Sequence, residues 1–395
     1  MKNDVAKKRI LAIDILRGIT IAGMILVNNP GSWGHIFTPL DHAEWIGLTP
    51  TDFVFPFFMF IMGMTTYISL RKYDFRPSVD AIKKIVVRTI VIMLVGSFIG
   101  LLGSFIGLFV HFCRYWGNVD ETLSFGKQLL EALNVFPTLR FTGVLHRLAI
   151  CYCIVSILAL LINHKRFPLI IAVLFIGYFI ILECGNGFAY DETNILSIFD
   201  RTIISTEHLY NDNGIDPEGL LSTIPSVAHV MIGFMAGKMI LAKGSENENT
   251  LHNKIIKTFV SGTLLLVFGF LLSYACPISK KIWSPTFAMV TCGFASIVLA
   301  TLIYFVDMKN IKCRVHFFES FGVNPLFLFI MSDIFAILFG CIKIAGTSIH
   351  GIIYNSLVPF FGETGGSCVY ALLFVLFNFI VVAYPLYKRK IYIKI

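Results

Sequence analysis

Charged side chains are scarce. Asp, Glu, Lys and Arg make up 14% of the 395 residues, where a soluble domain carries roughly 25%. A water-soluble globule of this length needs a polar coat, so the shortage excludes a cytosolic enzyme, a disordered chain and a nucleic-acid binder. Paired cysteines are missing as well. The nine cysteines form no CxxC pair and mostly sit in apolar runs, as Cys151, Cys153, Cys292 and Cys341 do. That leaves no support for a disulfide framework or a metal site. No P-loop, HExxH or GxSxG occurs, which removes ATP-driven pumping, zinc proteolysis and α/β-hydrolase chemistry. Neither an internal repeat nor a low-complexity linker interrupts the chain, so 1–395 reads as a single domain.

What is present is apolar: 56% hydrophobic residues and a mean hydropathy of +0.78. A bilayer span needs about 20 mostly apolar residues. Ten segments meet that need: 10–28, 52–70, 85–110, 142–162, 168–184, 222–241, 256–275, 285–306, 324–344 and 366–387. The composition predicts an all-α polytopic bundle of about ten spans. Lys7, Lys8 and Arg9 before the first run resemble a signal peptide, but Asp14 and Arg17 interrupt it and no small-residue cleavage site follows, so it reads as a retained helix. The Gly96–Gly107 stretch reads as close helix packing. The apolar piece 349–361, interrupted by Pro359, is short enough to be re-entrant or interfacial.

The basic residues set an orientation. With the N-terminus inside, 23 of the 32 Lys and Arg fall on inner segments and eight on outer segments or helix ends. That asymmetry predicts both termini in the cytoplasm. The pair Lys280–Lys281 is the exception, on a small outer loop. The inner loops are short and basic. The outer ones, 29–51, 111–141 and 184–221, are long and polar, and they are where a site for an extracytoplasmic ligand is expected.

Several residues then carry chemistry. Thr49, Pro50 and Asp52 punctuate the start of the second span, with capping-box spacing. His42 has no such role. It lies between Trp33 and Trp45, beside Asp41 and near Asp52, and an imidazole near a carboxylate is what a general base needs. Asp14 and Arg17 share a helix face at i, i+3 inside the first span, where each charge costs about 2.5–3.5 kcal/mol on insertion scales. They are either a buried ion pair or a contact for an anionic ligand entering from the cytoplasm. His146 with Arg147, and Asn324 with Asp333, pose the same choice. Asp216-Pro217-Glu218-Gly219 is either a ligand contact or a turn leading into the sixth span.

The runs Arg9–Gly18, Leu26–Asn28, His42–Thr49 and Asp52–Gly63 together resemble the heparan-α-glucosaminide N-acetyltransferase family. Gly143–Leu148, His208–Tyr210, Asp216–Gly219, Gly237-Lys238, Trp283-Ser284, Asn324 and Tyr387–Lys394 continue the pattern, so the resemblance runs along essentially the whole chain. It implies transfer of the acetyl group of cytoplasmic acetyl-CoA, a co-substrate, to the amino group of a terminal glucosamine on the far side. No metal is required. The family's active-site histidine falls on His42 and its nearby asparagine on Asn28. Arg17, with Asp14 and Arg147, is expected on the acetyl-CoA side, and Asp41, Asp52, Glu218 and Asn324 on the acceptor side. The acceptor is an amino sugar or a heparan-derived oligosaccharide, and the family implies a homodimer.

The resembled enzyme is lysosomal, with a luminal domain and one further preceding span, and neither is expected here. There is also no N-x-S/T sequon. The chain therefore reads as a bacterial relative of the inner membrane. It departs from the pattern at Pro30 and at His146, where a glutamine is typical, which bears on the shape of the acceptor pocket. His42 either deprotonates the sugar amine for direct transfer or carries the acetyl group itself. The runner-up is an amino-sugar permease in which the same residues bind sugar and no acetyl group moves.

Overall fold

The computed structural model describes residues 10–115, 140, 142–210, 212–241, 251–311 and 315–393. Most of the 111–141 loop lies outside the described residues, as do the basic residues Lys2, Lys7, Lys8, Arg9, Lys127, Lys243, Lys312, Arg314 and Lys394.

The regular structure of the described chain is almost wholly helical. In order come α1 (Leu11–Val27), α2 (Val54–Leu70), α3 (Val79–Tyr115), α4 (Val144–Leu161), α5 (Phe167–Cys184), α6 (Ile195–Ile204) and α7 (Thr223–Leu241). After these are α8 (Leu251–Leu272), α9 (Pro285–Leu302), α10 (Val315–Val323), α11 (Pro325–Cys341), α12 (Ile349–Asn378) and α13 (Tyr384–Lys388). A two-residue hairpin, β1 (Lys343–Ile344) with β2 (Thr347–Ser348), is the only strand pair among the described residues. Eight helices are long and apolar enough to cross a membrane, or nine if the bent pair α10–α11 counts as one span. α1, with 17 residues, reaches only ~26 Å at 1.5 Å per residue. The chain is thus the expected all-α polytopic membrane bundle, and each of the ten expected segments contains a helix.

Contacts between connections sort into two sets, as alternating passes require. At one end Gly47 N donates to Ile278 O (2.9 Å), Gly31 N to Ser367 O (3.2 Å) and Trp45 Nε1 to Phe188 O (2.9 Å). At the other, Arg71 Nη1 donates to Leu241 O (2.8 Å) and the Phe75 and His164 rings meet at 4.6 Å. There too the Asp307 carboxylate accepts from Leu11 N and Ala12 N (2.9 and 3.0 Å), a negative charge on the positive end of α1.

Two departures from straight spans matter. α10 and α11 meet at 89°. The cause is Asn324-Pro325: Pro325 opens α11 where its missing N–H costs nothing, and Asn324 before it takes a non-helical ψ of 57°. The bend lays α10 across α1, backbone to backbone. A Cβ on Gly18 would overlap the Phe318 carbonyl oxygen, and one on Gly322 would overlap that of Asp14. The second departure is Gly362, at φ 70°, ψ 176°, which splits α12. The short segment 349–361 is the first arm of this bent helix, with Phe360 and Phe361 exposed.

Candidate active site

The 28–53 connection is folded tightly onto the bundle end. Asn28 closes α1 as its C-cap and its side chain is exposed. Asn29 Nδ2 turns back to Ile25 O (2.8 Å), and His350 Nε2 bonds Pro30 O (3.2 Å). Gly47, at φ 131°, makes a turn that a side chain would oppose.

Asp52 organises the rest of this connection. It is 0% exposed. Its Oδ2 accepts from the backbone of Ala43 (3.1 Å) and Thr49 (3.0 Å), the return half of a capping box. Its Oδ1 stands 2.7 Å from His42 Nδ1. An ionised carboxylate only accepts, so Nδ1 carries the proton and Nε2 is left as the basic nitrogen. The His42 side chain is 45% exposed, open to an incoming amine. Asp41 lies one residue away, but its carboxylate bonds the His42 backbone N (2.8 Å).

Lys280 comes to the same place from the α8–α9 connection. Its Nζ is 2.9 Å from His42 Nδ1, 3.4 Å from Nε2 and 3.4 Å from Asp52 Oδ1. Beside it Lys281 pairs with Asp212 and donates to Tyr190 OH (both 2.6 Å). Tyr190 stacks on Trp45 at 4.5 Å. Sequence reasoning misses both lysines and this aromatic pair. The single signal for Lys280 in the sequence is its break with the charge alternation.

The 205–222 connection forms the adjoining wall. Arg140 bonds Asp216 Oδ1 (2.6 Å) and Glu218 Oε2 (2.7 Å). Asp216 also accepts from Thr142. Arg147, near the start of α4, is 1% exposed and lies over the Trp283 ring at 5.2 Å. Its Nη2 donates to Gly219 O and Ser222 Oγ, while Nε and Nη1 make no hydrogen bond among the described residues. On the other side of the same turn, Asp200 Oδ1 accepts from Leu220 N and Leu221 N (3.0 and 3.2 Å). Burial pushes the Asp200 carboxyl up to about 6, with Asp216 adding to the rise.

Arg17 belongs to the opposite half of α1. Its Nη1 bonds Asp14 Oδ1 and Gly322 O, both at 3.1 Å. Arg17 also lines a cavity of about 660 Å³ with Asp14, Arg71, Lys72, Lys254 and Asp307. A second cavity, of about 510 Å³, adjoins it and shares Arg17 and Thr65. Ser69, Lys84 and Arg88 line the second one, and Phe58, Ile61, Met62, Val91 and Leu148 make it apolar. From Ser69 to Phe58 it follows α2 for ~16 Å, from the Arg71 end toward the Asp52 end.

Asn324 touches neither group of residues. Its Nδ2 donates to Ile391 O and its Oδ1 accepts from Ile393 N (both 2.8 Å), tying the C-terminal segment to the α10–α11 bend. The structure therefore brings together His42, Asp52 and Lys280, sets Glu218 and Arg147 in the neighbouring wall, and joins Asp14 to Arg17 at the far cavity. Among the described residues no group of three or more His, Cys, Asp or Glu is arranged to hold a metal ion.

Comparison with known proteins supplies a family. A model of the catalytic region of heparan-alpha-glucosaminide N-acetyltransferase matches residues 9–274. The chain is 24% identical to the heparan-alpha-glucosaminide N-acetyltransferase of Homo sapiens over 385 residues, which cover 83% of this chain and 53% of that protein. The Mus musculus protein of the same name is 24% identical over 384 residues, with 82% and 53% covered. The chain spans about half the length of the curated relatives it matches.

Proposed function

The chain belongs to the heparan-α-glucosaminide N-acetyltransferase catalytic family, and from that premise we propose that it moves the acetyl group of cytoplasmic acetyl-CoA to the amino group of a glucosamine-type sugar across the membrane. The observation that carries this reading is the His42–Asp52 pair at 2.7 Å. Asp52 fixes the tautomer, and Nε2 is left to take a proton from the sugar ammonium. The free amine then attacks the thioester carbonyl, a C–N bond forms and the C–S bond breaks; of the two protons the nitrogen sheds between ammonium and amide, one passes through the imidazolium to the departing thiolate and the other leaves to solvent.

The cavities at the Arg17 end suit the donor. Arg17, Arg71, Lys72 and Lys254 line one of them, a setting for phosphates in which Arg can bond bidentately. The adjoining apolar cavity gives an extended arm a path along α2 toward Asp52. Arg147, whose Nε and Nη1 have no hydrogen-bond partner among the described residues, offers the acyl end a donor, and Asn28 is a second candidate to polarise the thioester carbonyl. Asp41, Glu218 and the Trp45–Tyr190 stack are the nearest side chains for the sugar. In this scheme both termini and the Arg17 cavity are cytoplasmic, as the basic residues imply, and the membrane is the cell's inner one. The names of the two relatives describe a transferase, and no observation favours the permease reading.

The test is purified protein with labelled acetyl-CoA and glucosamine, scored for acetylated sugar. Label should appear on the sugar, and His42→Ala should abolish it. Uptake of glucosamine with no acetylated product would overturn the reading.

A further inference from the structure

Membrane proteins keep lysine and arginine on the cytoplasmic side, and the α8–α9 connection breaks that rule twice. Lys281 is accounted for by Asp212 and Tyr190. Lys280 has another situation. Its side chain is 18% exposed, so most of the stem is covered while the ammonium meets the imidazole. Burial pushes its pKa below the usual lysine value, against the pull of Asp52 and Glu218.

The charges that face His42 come from three elements. Asp41, in its own loop, bonds the His42 backbone rather than the ring. Asp52, at the start of α2, touches Nδ1 at 2.7 Å. Lys280, from the α8–α9 connection, stands 2.9 Å from the same nitrogen; with Nδ1 protonated toward Asp52 both groups are donors, so the ammonium acts on the ring as a neighbouring charge and not as a hydrogen-bond partner. Glu218 and Lys281 act on Lys280 from farther off, with opposite signs. The ring therefore sits between one negative and one positive neighbour. A carboxylate alone draws a second proton onto an imidazole, and an imidazolium cannot serve as a base. A cation at the same distance drives that proton off.

We propose that Lys280 is a positioning residue for the transfer reaction: its ammonium offsets the Asp52 charge at the His42 ring and so favours the neutral imidazole that a general base requires. This rests on His42 acting as the general base. The competing account is that Lys280 merely neutralises the buried Asp52 to let the loop fold. That account predicts lower stability on substitution and no change in pH dependence.

Two readouts separate the accounts. The first is kcat/KM for acetyl transfer against pH in wild type, Lys280→Met and Lys280→Arg. The acid limb should move up by about one pH unit in Lys280→Met, as for the loss of one neighbouring charge, and return toward wild type in Lys280→Arg. The second is carbethoxylation of His42 by diethyl pyrocarbonate, which attacks the neutral ring, followed on the His42 peptide by mass spectrometry. Its pH midpoint should move up by the same amount. This measurement needs no acetyl transfer, so it reports on Lys280 even if the transferase reading fails. If Lys280→Met does not fold, Lys280→Gln keeps a donor without the charge and serves the same comparison. A folded charge-free variant with both midpoints unmoved would overturn the proposal.

Discussion

The carboxylate of Asp52 serves two partners at once: one oxygen caps the turn that opens α2, and the other holds Nδ1 of His42 at 2.7 Å. Asp52→Asn keeps the shape but turns an acceptor into a partial donor. It should disturb the tautomer that leaves Nε2 free and slow transfer by about 10²–10⁴-fold, the range for a general base put out of action. The Michaelis constant for acetyl-CoA should change little. Steady-state kinetics with both substrates varied would check this, and a variant within tenfold of wild type would separate the pair from the chemistry.

Arg17 is bonded to Asp14 and Gly322 O yet still lines both cavities. Arg17→Ala should raise the Michaelis constant for acetyl-CoA by roughly tenfold or more, the worth of one hydrogen bond to a charged group, and leave that for the sugar close to wild type. Isothermal titration with coenzyme A gives a second readout. Unchanged affinity in a folded variant would leave Arg17 as the partner of Asp14 alone.

Asp200 makes stability depend on pH. Its folded value, about 6, lies above the ordinary carboxyl value of about 3.9, so the folded state holds the proton more tightly than the unfolded one. That stabilisation is fully present below about pH 4 and is lost as pH rises through about 6, a change of up to about 3 kcal/mol. Asp200→Asn cannot ionise. Its melting temperature in detergent should therefore gain on wild type between pH 5 and 7. Parallel curves across that range would contradict the assignment.

The proposed orientation can be read by labelling single cysteines in a cysteine-depleted background. Positions in the same connection as His42, such as Ser32, and beside Asp212 should react with an impermeant maleimide in intact cells. Arg76 and Lys309 positions should react only after permeabilisation. The reverse pattern would invert the scheme and place the basic cavity outside.

Much of the fold was legible because a bilayer constrains composition: a span must be apolar for about 20 residues whatever it packs against. Interruptions were harder to see. Asn324-Pro325 marks the bend between α10 and α11, but the close crossing of α10 over α1 that follows from it depends on Gly18 and Gly322 letting two backbones meet. His42 and Asp52 were legible because they are ten residues apart in one loop. Lys280 was not, since its contact with His42 joins residues 238 positions apart and only tertiary folding creates it. Asn324 shows the converse. A polar residue beside an apolar run looks the same whether it binds a ligand or, as here, holds two backbone groups of the C-terminal segment.

In the proposed reaction acetyl groups cross from one face of this bundle to an amine at the other through His42. Proteoliposomes of fixed orientation test it most directly, with labelled acetyl-CoA on the face bearing the Arg17 cavity and glucosamine on the face bearing His42. Labelled N-acetylglucosamine should appear only on the His42 face, and none with His42→Ala. Product on the donor face, or undiminished product from His42→Ala, would contradict it.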